Sequence, residues 1–209
     1  MTPVPRWMNR PATPRSKAAA ALLRLGGWTA LLPPAPGPKL VGAAYPHTSN
    51  WDLLPALLWA WATGTPLKFV AKHSLFRFPL GSLLRAWGGV SVDRRRAGGN
   101  FVDAVATMIA EQPEIVLGLA PEGTRERAEA WKSGFYHMAQ AAGVPVALIA
   151  FDWKRRRVGV LGYLTPSGDF EADYQQIRAI YAGVVGRHPQ KATPIRARLE
   201  VAEGVRERM

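Results

Sequence analysis

The sequence predicts a single α/β domain in which a mostly parallel sheet is flanked by helices. Its 209 residues are enough for one domain with a complete core, and 48% of them are hydrophobic. Short apolar runs alternate with amphipathic stretches along most of the chain. Because parallel strands need crossover connections, an alternation of strands and helices is typical of a parallel sheet.

Each element follows from its periodicity and its flanking residues. Short apolar runs predict six strands, at 39–45, 67–71, 89–93, 115–119, 146–151 and 158–163. Amphipathic stretches predict five helices, at 51–63, 75–87, 100–111, 133–142 and 170–184. Only a polar turn at 152–157 separates the last two strands, so these two strands are expected to form a C-terminal hairpin.

Basic charge is concentrated at the N-terminus. The net charge is +12, and no acidic residue precedes Asp52. The same stretch holds six basic residues: Arg6, Arg10, Arg15, Lys17, Arg24 and Lys39. This balance indicates an anionic partner, either nucleic acid or a phospholipid surface. We divide the chain into a basic N-terminal segment (1–37), the domain proper (38–185) and a C-terminal extension (186–209).

The apolar stretch at 18–32 predicts an amphipathic helical segment. It is shorter than the about 20 apolar residues of a membrane span, and Arg24 interrupts it, which also argues against a secretory signal. On a helix, Leu22 and Leu25 would share one side, and Lys17 would lie on another with Arg24. Such a helix lies in a membrane interface or packs on the domain, and the sequence leaves both readings open.

The string His-Thr-Ser-Asn-Trp-Asp carries a candidate catalytic pair, His47 and Asp52. An imidazole is well matched to accept a proton near neutral pH. Asp52 would fix its tautomer and leave the other ring nitrogen facing substrate. Because no Gly-x-Ser-x-Gly nucleophile elbow accompanies the pair, it predicts a general base for a substrate hydroxyl. The alternative is that His47 caps a helix and Asp52 lies in its first turn, where acidic residues are favoured.

The string Pro-Glu-Gly-Thr-Arg carries a candidate anion cradle. Gly123 would allow a sharp turn, and Thr124 would donate a hydrogen bond from its hydroxyl. Arg125 would bind a phosphate through two hydrogen bonds. Arg94, after the third strand, would add a second positive charge, and Glu122 would orient the clamp or bind an acceptor hydroxyl. The alternative is a surface turn with a local ion pair, which contributes little to stability.

Both strings follow strands of the predicted parallel sheet, as Arg94 does. Residues just after parallel strands gather at one edge, where open α/β sheets bind ligands. The other histidines, His73, His137 and His188, have no carboxylate at matching spacing, so packing or surface roles are expected for them. The chain has no cysteine, which excludes disulfides, thiolate catalysis and cysteine-based metal sites.

These residues resemble the phospholipid and glycerol acyltransferases, the family that includes lysophosphatidic acid acyltransferase. The resemblance covers roughly residues 40–150. It rests on four blocks in order: His47 with Ser49 and Asp52, the third strand with the Arg94 that follows it, the complete Pro-Glu-Gly-Thr-Arg string, and an apolar run around Pro145. The sequence departs from the family pattern at Pro46, Ala120 and Glu126, which puts the identity of the acceptor in doubt.

The resemblance implies an acyltransferase in which His47 is the general base and Asp52 orients it. An acyl-CoA or acyl carrier protein thioester would be the co-substrate, with no metal or other cofactor. The residues implied in binding a lysophospholipid or glycerol phosphate acceptor are Ser49, Arg94, Glu122, Gly123, Thr124 and Arg125. Four apolar residues beside the pair would line an acyl channel unless they are plain core: Trp51, Leu53, Leu54 and Leu57.

Partners and location follow from the same resemblance. The expected partner is a membrane surface with anionic lipid, on the cytoplasmic face, to which the protein binds as a peripheral or monotopic enzyme; nucleic acid is not expected. Three other functions stay open at the level of the sequence. They are acyl transfer to a non-phosphate acceptor such as a glycolipid, hydrolysis of a thioester or lipid, and nucleic-acid binding suggested by the charge and eight tryptophans.

Overall fold

Seven strands form one sheet in the computed structural model, which describes residues 4–77, 80–92 and 101–197. The strands are β1 (Thr29–Leu31), β2 (Lys39–Tyr45), β3 (Leu67–Lys72), β4 (Gly89–Val92), β5 (Ile115–Leu119), β6 (Val146–Asp152) and β7 (Arg157–Leu164). The α-helices of the described residues are α1 (Pro14–Leu25), α2 (Leu53–Thr63), α3 (Leu80–Ala86), α4 (Phe101–Glu111), α5 (Gly134–Ala142) and α6 (Phe170–Ile180). The predicted α/β class is confirmed.

The strand order is β1-β7-β6-β2-β5-β3-β4. Neighbouring strands pair in parallel except β6 and β7, which are antiparallel and joined by the polar turn after Asp152. The predicted hairpin is therefore confirmed. Glycines at positions 42 and 118 face each other in the β2–β5 pair, where a Cβ at position 42 would lie 2.7 Å from Ile149 Cδ1.

The N-terminal apolar stretch is not one helix, which corrects the expectation for residues 18–32. The helix α1 begins earlier, at Pro14, where Thr13 and Ser16 form a reciprocal capping box. It ends at Leu25 because Gly27 adopts a left-handed φ of 71°. Of the residues that follow, Thr29–Leu31 form β1, in which Thr29 pairs with Arg157, the first residue of β7.

Side chains alternate between two faces of the sheet. On one face, Val41 and Ala43 of β2 pack with α4, α5 and α6. On the other, Leu40 packs with α1 and α2, where Trp59 is buried. The helix α1 therefore packs on the domain through Leu23, but it leaves two leucines exposed, as described below.

The parallel strands bring their carboxyl ends to one edge. The 47–52 loop follows β2, and the 121–125 loop follows β5, its neighbour in the sheet. This arrangement brings the two sequence motifs together because adjacent parallel strands end side by side. None of the helices in the described ranges is long and apolar enough to cross a membrane.

Candidate active site

His47 and Asp52 form the predicted contact. His47 Nδ1 lies 3.1 Å from Asp52 Oδ2, and the same oxygen accepts a hydrogen bond of 3.0 Å from Ser49 N. The Asp52 carboxylate is fully buried, whereas 26% of the His47 side chain is exposed. With Nδ1 directed at Asp52, Nε2 is the ring nitrogen left for a ligand.

Ser49 caps the short 3-10 turn Asn50–Asp52 rather than facing the cleft. Its hydroxyl accepts a hydrogen bond of 3.2 Å from Trp51 N, and the residue is buried. The cap that the alternative reading assigned to His47 is thus provided by Ser49. This leaves the imidazole of His47 free of a capping role.

The second oxygen of Asp52 is bound from a distant part of the chain. Trp153 Nε1 donates a hydrogen bond of 2.7 Å to Asp52 Oδ1. Trp153 follows β6, which pairs with β2, so both residues lie at the same edge of the sheet. The sequence prediction assigned this tryptophan only to a polar turn. Its position directly after a strand was the available signal.

Glu122, in the 121–125 loop, links this loop to the 47–52 loop through a hydrogen bond. Its carboxylate accepts hydrogen bonds from His47 N at 2.5 Å and from Thr193 N at 2.8 Å, and only 1% of the residue is exposed. Burial raises the pKa of Glu122, although the hydrogen bonds from Thr193 and His47 oppose this shift. The sequence prediction instead had Glu122 contacting Arg125 or the acceptor.

Gly123 occupies a conformation and a space that suit glycine alone. Its φ is +66°, and a Cβ added there would lie 2.7 Å from Lys132 Nζ. The ammonium group of Lys132 is therefore packed against the loop. It brings a cation to the cradle that the sequence prediction did not include among the site residues.

Thr124 and Arg125 face the cleft that also contains His47. Among the residues that the structure describes, none forms an ion pair or hydrogen bond with the Arg125 guanidinium. The neighbouring Glu126 pairs instead with Lys191, at 2.6 Å between Oε1 and Nζ. Arg94, the predicted second cation, lies outside the described residues.

The cleft has a volume of about 1260 Å³ and is mostly apolar. It extends from His47 at the carboxyl edge of the sheet to Leu67 at the start of β3, between α2 and α3. Its apolar lining includes Leu53, Ala56, Trp59, Leu67, Phe69, Leu84 and Trp87.

The channel residues predicted from the sequence are only partly correct. Leu53 lines the cleft, but Trp51, in the turn before α2, and Leu54, within α2, do not, and 59% and 52% of these two residues are exposed. Leu57 is buried and does not line the cleft. Further apolar lining comes from β3 and α3, whose distance in the chain from His47 hid them from a local pattern.

The segment after α6 completes the site through its backbone. Besides the bond from Thr193 to Glu122, His188 N donates to Thr48 Oγ1 at 3.1 Å. Gly186 packs so closely there that a Cβ would lie 2.9 Å from Thr48 Oγ1. Since main-chain groups make these bonds, no pattern of side chains could have signalled them.

Comparisons with known proteins found acyltransferases among the sequence relatives. A 1-acyl-sn-glycerol-3-phosphate acyltransferase of Salmonella typhimurium is 33% identical over 105 residues, and one of Escherichia coli K12 is 32% identical over 107. Each match covers 48% of this chain and 42% of the relative, so the chain spans less than half the length of the curated relatives that it matches.

A solved structure shares the fold. It is the 1-acyl-sn-glycerophosphate acyltransferase PlsC from Thermotoga maritima, with a TM-score of 0.54 at 15% sequence identity, covering 81% of this chain and 74% of the other. The family model named Acyltransferase matches residues 42–152, which is more than half of the chain and includes both loops. The chain therefore belongs to the acyltransferase family.

Proposed function

We propose that the protein transfers a fatty acyl group from an acyl thioester to a hydroxyl of a lysophospholipid or glycerol phosphate acceptor. One observation carries the proposal. The His47–Asp52 pair lines a mostly apolar cleft, and Arg125 lines the same cleft. A base, an apolar channel and a cation are the three parts that such a transfer needs.

His47 acts as the general base. Its Nδ1–H donates to Asp52, and Nε2 accepts the proton of the acceptor hydroxyl. The oxygen attacks the thioester carbonyl carbon, and the tetrahedral intermediate collapses by breaking the C–S bond. The departing thiolate takes the proton from His47, which yields an ester and a free thiol. These steps use no covalent acyl-enzyme, metal or other cofactor, and acyl-CoA and an acyl carrier protein supply the same thioester.

The 121–125 loop binds the head of the acceptor. Arg125 and Thr124 contact its phosphate, with Lys132 and Arg94 as further cations. The ion pair with Lys191 partly balances the negative charge of Glu126, although exposed pairs contribute little to stability. A phosphate acceptor is therefore compatible with the departure from the family pattern at position 126. Glu122 and Ser49 position the two loops rather than touching the substrate.

An exposed apolar surface next to the cleft is proposed to rest on the membrane. The Arg15 guanidinium lies 4.1 Å from the ring of Trp61, so α1 and α2 are antiparallel, and the end of α1 lies beside the start of α2. Four exposed apolar residues belong to these two ends or directly precede them, and we call them the apolar patch: Leu22, Leu25, Trp51 and Leu54. Leu25 is 84% exposed, which is unusual for a leucine in a helix that packs on the domain.

Cations border the apolar patch. The Arg187 guanidinium lies 5.7 Å from the Trp51 ring, and Arg24 precedes Leu25 on α1. Apolar and aromatic side chains bordered by arginines suit the interface of an anionic bilayer. We place the protein on the cytoplasmic face as a peripheral or monotopic enzyme.

Sedimentation with vesicles tests the membrane proposal. The protein should bind phosphatidylcholine vesicles that contain phosphatidylglycerol more tightly than phosphatidylcholine alone. Leu25→Glu should weaken this binding, whereas Gln176→Glu on α6 adds the same charge on the opposite face of the sheet and should leave it intact. Equal effects of the two variants, or stronger binding to nucleic acid in a gel-shift assay at the same salt concentration, would contradict the proposal.

A product analysis by mass spectrometry tests the reaction. The protein is incubated with acyl-CoA or acyl carrier protein thioester and a panel of lysophosphatidic acid, glycerol phosphate, other lysolipids and glycolipids. We expect a new ester that requires a phosphate-bearing acceptor and disappears in His47→Ala. Thiol release without any acceptor would instead identify a hydrolase, and an ester formed only on glycolipids would identify a non-phosphate acyltransferase.

A further inference from the structure

We propose that Trp153 is a positioning residue that holds the Asp52 carboxylate, and through it His47, in the orientation that proton transfer requires. The inference rests on the proposed function, because it assigns Trp153 a part in the same reaction.

Each oxygen of Asp52 is bound by different parts of the chain. Oδ2 is held locally, by Ser49 N and His47 Nδ1. Oδ1 accepts the Trp153 indole N–H at 2.7 Å, and no other donor within the described residues reaches it. Because the carboxylate is fully buried, loss of the indole N–H would leave Oδ1 without a partner, which is unfavourable for a buried acceptor.

Binding of both oxygens fixes the plane of the carboxylate. The terminal torsion of an aspartate is broad, so a carboxylate held at one oxygen can still rotate. Any rotation moves Oδ2 and with it the imidazole ring that Oδ2 holds. An indole N–H is only a donor, so the Asp52 oxygen that it binds acts as an acceptor.

Trp153 is itself held in place, which it must be in order to orient another group. Its backbone N donates to Val185 O at 2.9 Å, and its ring meets the Trp28 ring edge-on at a centroid distance of 4.9 Å. The Arg187 guanidinium lies 4.6 Å from the ring centroid. The direction of the indole N–H is therefore set by Trp28 and the segment after α6, not by the loop that carries His47.

The test is Trp153→Phe, which retains an aromatic ring and removes the N–H. We expect kcat for acyl transfer to fall about 10- to 100-fold, by analogy with groups that orient metal ligands, whose loss has effects of that size. The KM values for thioester and acceptor should stay within about twofold, since Trp153 does not line the cleft. A purely structural role would instead lower the folded fraction and leave kcat per folded molecule unchanged.

Trp7→Phe is the matched control. Trp7 is 1% exposed and belongs to the apolar cluster that packs on the same face of the sheet, but its Nε1 has no acceptor in the part of the chain that the structure describes. The same chemical change there should leave kcat unchanged. Equal losses of kcat in the two variants would overturn the inference, as would parental kcat in Trp153→Phe.

Indole proton NMR gives a readout that does not depend on activity. Resonance assignment of the parent protein identifies the Trp153 N–H signal, which should move in Asp52→Asn while the Trp7 signal does not. An unchanged Trp153 signal would overturn the inference even if Trp153→Phe failed to fold. If the parent protein transfers no acyl group, the proposed function fails, and the NMR result still decides whether Trp153 holds Asp52.

Discussion

The 47–52 loop and the 121–125 loop lie side by side but bind their polar groups differently. In the first, the carboxylate of Asp52 is fully buried, and both its oxygens are bound by the protein. In the second, Glu122 is buried in the same way, but Arg125 faces the cleft without a partner among the described residues. In the first loop, the protein itself orients the polar groups. In the second loop, the outer half, Thr124 and Arg125, stays available for a ligand.

This difference predicts that changes in the first loop lower kcat and changes in the outer half of the second raise KM. The largest effect is expected for His47→Ala. Positioned general bases contribute about 10²–10⁴-fold, so acyl transfer should fall by at least that factor. Thermal unfolding and circular dichroism should match the parent, because the imidazole is partly exposed and Ser49 provides the local cap. Parental thioester consumption by folded His47→Ala would refute the mechanism.

The second-largest effect is expected for Arg125→Leu. Hydrogen bonds to charged groups contribute about 1.5–3 kcal/mol, which corresponds to an increase of about 10- to 100-fold in the KM for a phosphate acceptor. The KM for the thioester and kcat at saturating acceptor should change little. Steady-state kinetics with each substrate varied in turn measures this split.

Arg127→Leu is the matched control for that split. It removes the same charge two residues away, from a side chain that does not line the cleft. A KM increase of the same size in both variants would show that general electrostatic attraction, not a specific clamp, is responsible. A fall in kcat alone in Arg125→Leu would contradict the division of labour between the loops.

A smaller effect is expected for Gly123→Ala, which acts on the hinge between the buried and open halves of the second loop. A non-glycine residue at φ +66° is strained by about 1–2 kcal/mol, and the added Cβ would displace the Lys132 ammonium. We expect destabilisation of that order in urea unfolding, with a raised acceptor KM. Gly143→Ala, also at positive φ but with nothing within 4 Å of a Cβ, is the control for backbone strain alone. Identical acceptor KM values in the two variants would contradict a role for the contact with Lys132.

The two loops also differ in how far the sequence predicts them. The contact of His47 with Asp52 spans five residues and is closed by a local turn, so the spacing alone indicated it. The bonds from Trp153 to Asp52 and from Thr193 to Glu122 span 101 and 71 residues. Contacts of that kind depend on which strands become neighbours and, for Thr193, on a main-chain donor that every residue but proline has.

The same limit explains the N-terminus and the cleft. The run of apolar residues before the prolines predicted a helix, but Gly27 ends α1. Residues 29–31 instead form β1, which pairs with β7. Leu67 and Trp87 line the cleft because β3 and the end of α3 lie beside α2, where the Trp61 and Trp87 ring centroids are 6.4 Å apart. Local periodicity identifies such residues as apolar but cannot tell a core position from a cleft wall.

The smallest predicted effect is a change in the pKa of Tyr45, the last residue of β2, which reports the charge of Glu122. The pKa of Tyr45 is raised to about 12, first by burial and second by the negative charge of Glu122, while Arg127 opposes both. Because the unfolded chain ionises near the ordinary value of about 10, this tyrosine stabilises the fold less as pH rises from about 10 to 12. Glu122→Gln should lower the pKa of Tyr45, yet leave it above the ordinary value, since burial is the larger cause.

Ultraviolet difference titration measures this shift, and Tyr45→Phe identifies which of the five tyrosines is responsible. Tyr163, whose pKa burial alone raises to about 12, is the internal control and should not move in Glu122→Gln. Circular dichroism must show that the variant stays folded at the highest pH used. A Tyr45 titration that is identical in parent and variant would mean that the Glu122 carboxylate is not charged between the loops. Only Arg125 would then support the division of the 121–125 loop into a buried half and a half that binds a ligand.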